Sequence, residues 1–245
     1  MDYREYHLSL KEKGLVLLIA VAISAVISFL FYQSVWAMLV SPFFYFFMKK
    51  RAQEQKKEER LKQLQEHFMN GMQVLNASLQ AGLSMENAWR EVEKETLVLY
   101  SENSLFLQEI KEINQSVTFN MPIERLFLEF AYRTGVEDIV SFAEIFDYGK
   151  RSGGNWKQII EGTVLRMMER YEAQKEIEVM LAAKKMEQQV MNLVPLGMLL
   201  FLQISSRDYI QILYGNPLGV LCMTVCLVVY GIAIMFSEKI MRIQV

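Results

Sequence analysis

The most constraining feature of this chain is the uneven placement of its charged residues. No charged side chain lies between Gly14 and Met48, whereas almost all acids and bases lie between Lys49 and Glu187. Beyond Glu187 the remaining charged residues are Arg207, Asp208, Glu238, Lys239 and Arg242. Because charged side chains are costly in a bilayer core, this pattern predicts a chain that runs through membrane, water and membrane again.

This pattern predicts three parts. They are an amino-terminal segment with a transmembrane hairpin at residues 1–48, a cytosolic helical domain at 49–189 and a pair of transmembrane helices at 190–245. A composition of 52% hydrophobic and 22% charged residues agrees with separate apolar and aqueous parts. The predicted fold class is all-α: an integral membrane protein with about four transmembrane helices and a cytosolic bundle of about six helices.

The predicted spans follow from the length that a bilayer requires. A helix needs roughly 20 apolar residues to cross a hydrocarbon core of about 30 Å. The predicted spans are Leu15–Phe31, Val35–Met48, Val190–Ser205 and Leu218–Phe236. The first two are joined at Gln33-Ser34, between the interfacial aromatic residues Tyr32 and Trp36. One long tilted helix over residues 14–48 is the alternative, since this stretch is short for two spans.

Basic residues set the predicted orientation. The cluster that follows the second predicted span comprises Lys49, Lys50, Arg51, Lys56, Lys57, Arg60 and Lys62. By the positive-inside rule, residues 49–189 and both termini lie on the cytoplasmic side. Five of these residues are also candidate contacts for anionic lipid headgroups: Lys49, Lys50, Arg51, Lys56 and Lys57. The positive-inside signal alone accounts for them equally well.

Apolar residues recur every three or four positions through residues 49–189, without the alternation that is typical of strands. Six helices are predicted there. The first three cover about Gln53–Ala81, a helix capped by Ser84, and about Glu102–Val117. The fourth has Pro122 as its first residue and ends at Gly135, the fifth covers about Asp138–Lys150, and the sixth begins at Asn155 and has no breaker before Pro195. Gly82 is predicted to end the first helix in a left-handed conformation. The apolar stripe of the sixth fades near Gln174, which indicates that it leaves the bundle there and continues into the third span.

The stretch "DYGKRSGGNW" at residues 147–156 resembles a phosphate-binding loop only superficially. Such a loop needs a preceding strand and a lysine after the glycines, whereas here a helix precedes them and Lys150-Arg151 come first. A joint between two helices explains the stretch better. Gly149 or Gly153 would end one helix and Asn155 would cap the next, while the two basic residues complement the negative end of the first.

Residues for catalysis or metal binding are sparse. His7 and His67 have no partner at ligand spacing, and Glu144 with Asp147 lacks a third ligand. The two cysteines, Cys222 and Cys226, lie one turn apart in an apolar run and are predicted to act as small hydrophobic residues. A net charge of −2 gives no reason to expect nucleic acid as a partner. The residues therefore predict no enzyme activity, no cofactor and no metal.

Three stretches in this order resemble the type II secretion system F domain family: "LNASLQAGLSMENAW", "FAEIFDYGKRSGGNWKQIIEGTVLRMMERYEAQKEIEVMLAAKKMEQQVMNLVP" and "YIQILYGNPLG". The resemblance covers nearly the whole chain. Within the family, the chain is more specifically similar to TadB-type inner-membrane platform proteins of tight-adherence pili. The related TadC-type proteins share the domain, and the Gly-Gly-Asn joint favours the B type. The chain departs from the family in having Trp156 where leucine is usual and in its short first two spans.

The resemblance implies a bacterial inner-membrane protein that couples a hexameric secretion ATPase to pilin extraction. It also implies a TadC-type platform protein, pilin, further copies of this chain and membrane lipids as partners. The joints between helices are the candidate ATPase contacts, at Gly82, Ser84, Lys150, Arg151, Gly153, Gly154 and Asn155. The alternative is a membrane-anchored helical regulator or receptor that binds another cytosolic protein.

Overall fold

A computed structural model of the chain describes Tyr3 and residues 9–32, 41–100, 102–151, 156–206, 214 and 216–241. Within these residues all regular secondary structure is helical, which confirms the predicted all-α class. The helices are α1 (Leu10–Ile27, continued by a π-helical turn, Ser28–Tyr32), α2 (Ser41–Gln80), α3 (Met85–Leu99), α4 (Leu105–Thr118), α5 (Ile123–Thr134), α6 (Glu137–Arg151), α7 (Trp156–Ser205) and α8 (Pro217–Met241).

Contacts divide the chain into two compact units. The first, called here the helical domain, comprises Met1–His7 and Gln53–Ala173. The second, called the apolar unit, comprises Leu8–Ala52 and Gln174–Val245. Helices α2 and α7 each contribute residues to both units.

A cluster of aromatic rings forms the centre of the helical domain. Phe142 on α6 lies with its ring centroid 5.7 Å from Phe68, 6.0 Å from Trp89 and 5.9 Å from Phe127. Residues of α2 to α7 surround this cluster in one core. The apolar residues that recur at helical spacing and are buried include Leu64, Phe68, Met72, Leu75, Leu79, Met85, Ala88, Trp89, Val92, Phe106, Ile110, Ile113, Ile160, Val164 and Met167. The helical periodicity in the sequence therefore identified the buried faces correctly.

Side-chain contacts give the directions of the helices. Asn114, in the second half of α4, donates hydrogen bonds to the Trp89 carbonyl oxygen (3.2 Å) and to Glu93 (2.7 Å), in the first half and the middle of α3. Only residues 100–104 separate the end of α3 from the start of α4, so the two helices are antiparallel. Helices α2 and α6 run parallel, because Gln65 bonds Asp138 while Phe68, one turn later, contacts Phe142 in the next turn of α6.

Three predicted helix starts need correction. The helix that contains Gln53 begins at Ser41, because residues 43–53 hold no glycine, proline or cap, and the basic and amide residues there favour helix. Helix α4 begins at Leu105 and not at Glu102, since the Ser104 hydroxyl caps it by accepting a hydrogen bond from the Leu107 amide at 3.5 Å. Pro122 is the cap of α5 and not its first helical residue.

Helix α7 changes its surroundings along its length. Ile160, Val164 and Met167 are buried in the core of the helical domain, and no later described residue of α7 is buried. The helix nevertheless continues through Pro195 to Ser205. The predicted fading of the apolar stripe and the continuation of the helix through Pro195 are therefore both present.

Three described helices are long and apolar enough to cross a membrane: Leu10–Tyr32, Lys157–Ser205 and Pro217–Ile240. They include the predicted spans Leu15–Phe31, Val190–Ser205 and Leu218–Phe236. Of the predicted span Val35–Met48, residues 41–48 are the start of α2. The turn at Gln33-Ser34 and Trp36 lie outside the described residues, so the choice between a hairpin and one long helix stays a prediction.

The π-helical turn of α1 joins a polar network in the apolar unit. The Gln203 side-chain amide donates to the carbonyl oxygens of Phe29 and Leu30 at 3.2 Å each, and the Tyr214 hydroxyl donates to that of Leu30. A π turn interrupts the regular bonding of the helix, so these carbonyls are available to other donors. Hydrogen bonds between apolar helices are a common means of association in membranes. The sequence did not predict this turn.

We expect Gly71→Ala to destabilise the helical domain by about 1 kcal/mol, although alanine is the better helix former. A Cβ atom at Gly71 would lie 2.7 Å from the buried Phe106 ring and 3.2 Å from Val92. The matched control is Gly162→Ala in α7, where the nearest atom, on Arg166, is 3.4 Å away. Urea unfolding of the detergent-purified chain should show a loss for the first variant and none for the second; equal effects would contradict this close packing.

Candidate functional site

The joint between α2 and α3 has the predicted geometry. Gly82 has a φ of +88°, which ends α2 in the left-handed region. The amide of Leu83 donates to the Ser78 carbonyl at 3.1 Å and that of Gly82 to the Leu79 carbonyl at 3.0 Å, which together form a Schellman motif. The Ser84 hydroxyl then accepts a hydrogen bond from the Asn87 amide at 3.4 Å and caps α3.

A second joint with the same hydrogen bonding, between α4 and α5, was missed at the sequence level. Asn120 has a φ of +61°, and the amides of Asn120 and Met121 donate to the carbonyls of Val117 (3.0 Å) and Ser116 (3.3 Å). Phe119 is 81% exposed and Met121 54% exposed. The available signal was an asparagine two residues before Pro122, since asparagine tolerates the left-handed conformation.

Both joints lie at the same end of the helical domain. Helices α3 and α4 are antiparallel, so the start of α3 and the end of α4 are neighbours. We define the elbow surface as residues 81–84 and 119–122. It presents Leu83, Phe119 and Met121 to solvent in a segment without charged side chains. Rigid joints with exposed apolar side chains are suited to contact with another protein.

The other predicted joint falls largely outside the described residues. Gly153, Gly154 and Asn155 belong to this undescribed part, so their predicted roles stay predictions. Lys150 and Arg151 occupy the last turn of α6, as predicted. Gly149 lies inside α6 and does not end it, so this half of the prediction is wrong. The helix continues past Gly149 because the residues after it, lysine and arginine, favour helix.

The basic residues proposed as lipid contacts lie in α2. Lys49, Lys50 and Arg51 belong to the apolar unit, where Arg51 forms an ion pair with Glu238 of α8. Lys56 and Lys57 belong to the helical domain, where Lys56 pairs with Glu59 at 2.8 Å. The charges of Arg51 and Lys56 are thus partly neutralised within the chain.

The end of the helical domain opposite the elbow surface holds buried ionic groups. The Asp138 side chain is 4% exposed and accepts hydrogen bonds from Gln65 (2.6 Å) and Arg170. The Glu109 side chain is 5% exposed and pairs with Arg133 at 2.5 Å. Both acids have partners, which a buried carboxylate requires. The sequence gave no indication of either pair, because each joins residues far apart in the chain.

His67 lies on α2 and is half-buried against the residues just before α4. Its Nδ1 lies 2.9 Å from the Ser104 hydroxyl, and its ring stacks on Tyr100 with centroids 3.6 Å apart. Burial lowers the pKa of His67 below its ordinary value. These contacts give the imidazole a packing role. Within the described residues there is no group of three or more His, Cys, Asp or Glu side chains able to hold a metal ion.

Comparison of the chain with protein-family models, with curated proteins and with solved structures gives no match. The family resemblance therefore rests on the order and spacing of the stretches in the sequence.

We expect Gly82→Ala to destabilise the helical domain by about 1 kcal/mol, because a side chain at this positive φ is strained. Nothing lies within 4 Å of a Cβ built at Gly82, so the strain is purely conformational. The contrasting variant is Asn120→Gly, which relieves the same conformation and should change stability by less than about 0.5 kcal/mol. If both variants unfold at the parent urea concentration, the left-handed assignment is wrong.

The lowered pKa of His67 predicts a pH dependence of stability. The unfolded chain binds a proton near pH 6.5 and the folded chain only at lower pH, so stability is complete above 6.5 and falls as the pH decreases below it. His67→Gln should remove this part of the dependence. Urea midpoints at pH 7.5 and 5.5 should therefore differ more in the parent than in the variant; identical differences would exclude the effect.

Proposed function

We propose that this chain is an inner-membrane platform protein of a tight-adherence type IV pilus or a type II secretion-like assembly machine. In this role it couples a cytosolic secretion ATPase to pilin extraction and pilus assembly. The chain acts by binding and transmitting motion and performs no catalysis of its own.

The observation that carries this proposal is the combination of a helical domain with membrane-length apolar helices in one chain. A platform needs both, because the motor acts in water whereas its substrate lies in lipid. The family resemblance is the reason for proposing a pilus or secretion machine in particular. It includes the Gly82-Leu83-Ser84 joint and the continuation of α7 through Pro195. An unbroken helix is a suitable element for transmitting force, since its backbone bonds run along its axis.

We place the ATPase contact at the elbow surface and at the other predicted joint, which includes Lys150, Arg151, Gly153, Gly154 and Asn155. Leu83, Phe119 and Met121 offer exposed apolar contacts on a rigid support. Residues 81–84 and 119–122 are exposed and not part of the core, so a partner can bind there while the fold stays intact.

The proposed orientation puts the helical domain and both termini in the cytoplasm, following the positive-inside rule. Lys49, Lys50 and Lys57 then add attraction to anionic headgroups, each contributing about 1 kcal/mol near the surface. The other proposed partners are a TadC-type platform protein, pilin and further copies of this chain.

Site-specific photo-crosslinking in the native cells tests the ATPase contact. A photoreactive residue at Leu83 or Phe119 of the full chain should crosslink to the secretion ATPase. Val98 is the matched control, because it is 80% exposed and lies near the end of α3, away from the elbow surface.

Crosslinks to the ATPase from Leu83 and Phe119 but not from Val98 would support the proposal. Crosslinks from all three positions would place the contact elsewhere on the domain. Repeated capture of a different cytosolic protein from Leu83 and Phe119 would instead favour the membrane-anchored regulator.

A further inference from the structure

A groove in the helical domain lies between α6 and α7. It has a volume of about 190 Å³ and is lined by Ser141, Ile145, Thr163, Arg166, Met167 and Arg170. The first two of these residues lie on α6 and the other four on α7. Thr163 and Met167 are buried, whereas both arginines are exposed. The groove therefore combines buried surface with two accessible guanidinium groups.

The two arginines differ in their charge partners. Arg170 bonds Asp138 and lies 3.5 Å from Glu137, so its charge is compensated within the chain. Arg166 donates a hydrogen bond to the Thr163 hydroxyl at 3.4 Å, and among the described residues it has no carboxylate partner. A guanidinium has five N–H donors, so most of those on Arg166 are available to a ligand.

Ser141 supplies a second donor from the other helix. Its side chain is half-buried, and its hydroxyl has no hydrogen-bond partner in the part of the chain that the structure describes. Because Ser141 and Arg166 line one small groove, both can donate to the same bound group. Ile145 and Met167 add apolar surface beside these donors. This combination suits a ligand with an acidic head and a short apolar body.

Charge favours a carboxylate as the acidic head. The planar guanidinium of Arg166 matches the two oxygens of a carboxylate, and the pairing is stronger than one between neutral groups. One uncompensated guanidinium also balances a single negative charge. A phosphate dianion would bring a second negative charge close to Glu137 and Asp138, which lie beside Arg170 at this groove.

The size of the groove favours a side chain over a free small molecule. Small-molecule pockets usually measure roughly 300–1,000 Å³, because they enclose most of their ligand. A groove of about 190 Å³ has the volume of only about six water molecules. It can hold the end of one acidic side chain while the rest of the ligand lies outside.

We propose that this groove is a binding site for one glutamate or aspartate side chain of a protein partner, whose carboxylate binds Arg166 and Ser141. The apolar part of that side chain lies against Ile145 and Met167. The proposal is independent of the platform function.

Modification of arginines by phenylglyoxal tests the site on the full chain in detergent, with mass spectrometry reporting each arginine separately. Butyrate at about 50 mM should slow the modification of Arg166 about threefold or more, because a bound carboxylate covers its guanidinium. Butyramide has the same shape without the charge and should have no effect when sodium chloride matches the ionic strength. Arg90, an exposed arginine of α3, is the internal control and should react at the same rate in both solutions.

Equal slowing at Arg166 and Arg90, or equal action of butyrate and butyramide, would overturn the proposed site. Ser141→Ala should raise the butyrate concentration for half-maximal protection about fivefold, since one hydrogen bond is lost. The matched control is Ser116→Ala on α4, whose hydroxyl bonds the Glu112 carbonyl and lies outside the groove, and which should leave that concentration unchanged. Unchanged protection in Ser141→Ala would remove this residue from the site. The measurement on the parent chain stands even if a variant does not fold.

Short alanine peptides with blocked ends distinguish a partner's side chain from a free carboxylate. A peptide with one central glutamate should protect Arg166 at or below the concentration at which butyrate does, and the same peptide with glutamine should not protect it. Protection by butyrate without protection by the glutamate peptide would overturn the assignment to a protein partner. Equal protection by the glutamate and glutamine peptides would show that the carboxylate is not what the groove recognises.

Discussion

Replacing Phe142 by alanine is expected to lower the free energy of unfolding of the helical domain by about 4 kcal/mol. Its ring is fully buried and contacts Phe68, Trp89, Phe127 and Phe146, with centroids 5.6 to 6.0 Å apart. Truncation removes these contacts and leaves a cavity that the surrounding helices cannot close without distorting the core. Urea unfolding followed by tryptophan fluorescence is suitable, because Trp89 lies in the same cluster.

The matched control is Phe119→Ala, the same substitution at a ring that is 81% exposed. It should change stability by less than about 0.5 kcal/mol. A similar loss from both variants would mean that Phe142 is not at the centre of the core. The pair also separates stability from binding, because Phe119 belongs to the elbow surface and its loss should weaken only the proposed ATPase contact.

Replacing Arg170 by methionine is expected to destabilise the helical domain by about 2 kcal/mol. Arg170 bonds Asp138, whose side chain is 4% exposed, and lies 3.5 Å from Glu137. Methionine keeps the length of the side chain but leaves the buried carboxylate with Gln65 as its remaining described partner. The effect is below that of a fully buried pair because the Arg170 side chain is 49% exposed and water replaces part of its contact.

Arg125→Met is the corresponding control. Arg125 pairs with Glu129 at 3.2 Å, but both side chains are largely exposed. An exposed pair contributes little, so this variant should lose less than about 0.5 kcal/mol. Thermal unfolding of the two variants in the same detergent checks the difference. Should Arg125→Met prove the more damaging change, burial of Asp138 would not be the reason for the effect.

Local signals explain which parts of the fold were predictable. Gly82 and Gly135 end helices in the left-handed conformation, and Ser84 caps the helix that follows, because each role depends on one residue and its immediate neighbours. The buried faces followed from the spacing of apolar residues. The start of helix α2 was harder to predict, since the helix runs through the change from apolar to basic residues at Lys49 without a breaker.

The missed features depend on distant contacts or on weak signals. The hydrogen bond between Tyr3 and Glu109 joins residues that are 106 positions apart in the sequence, which no local pattern reveals. The π-helical turn at Ser28–Tyr32 is stabilised by Gln203 and Tyr214 from elsewhere in the chain. Asn120 had a local signal, but asparagine occurs in many other conformations and is a weaker marker than glycine. Of the two joints in the elbow surface, the sequence therefore predicted the one at Gly82 and Ser84 but not the one at Asn120.

Co-purification tests the proposed function most directly. The full chain, isolated in mild detergent from its native cells, is analysed by mass spectrometry for the proteins that accompany it. The platform function predicts recovery of a secretion ATPase together with a second F-domain protein. Recovery of neither, from an intact and well-folded preparation, would contradict it and favour a membrane-anchored regulator.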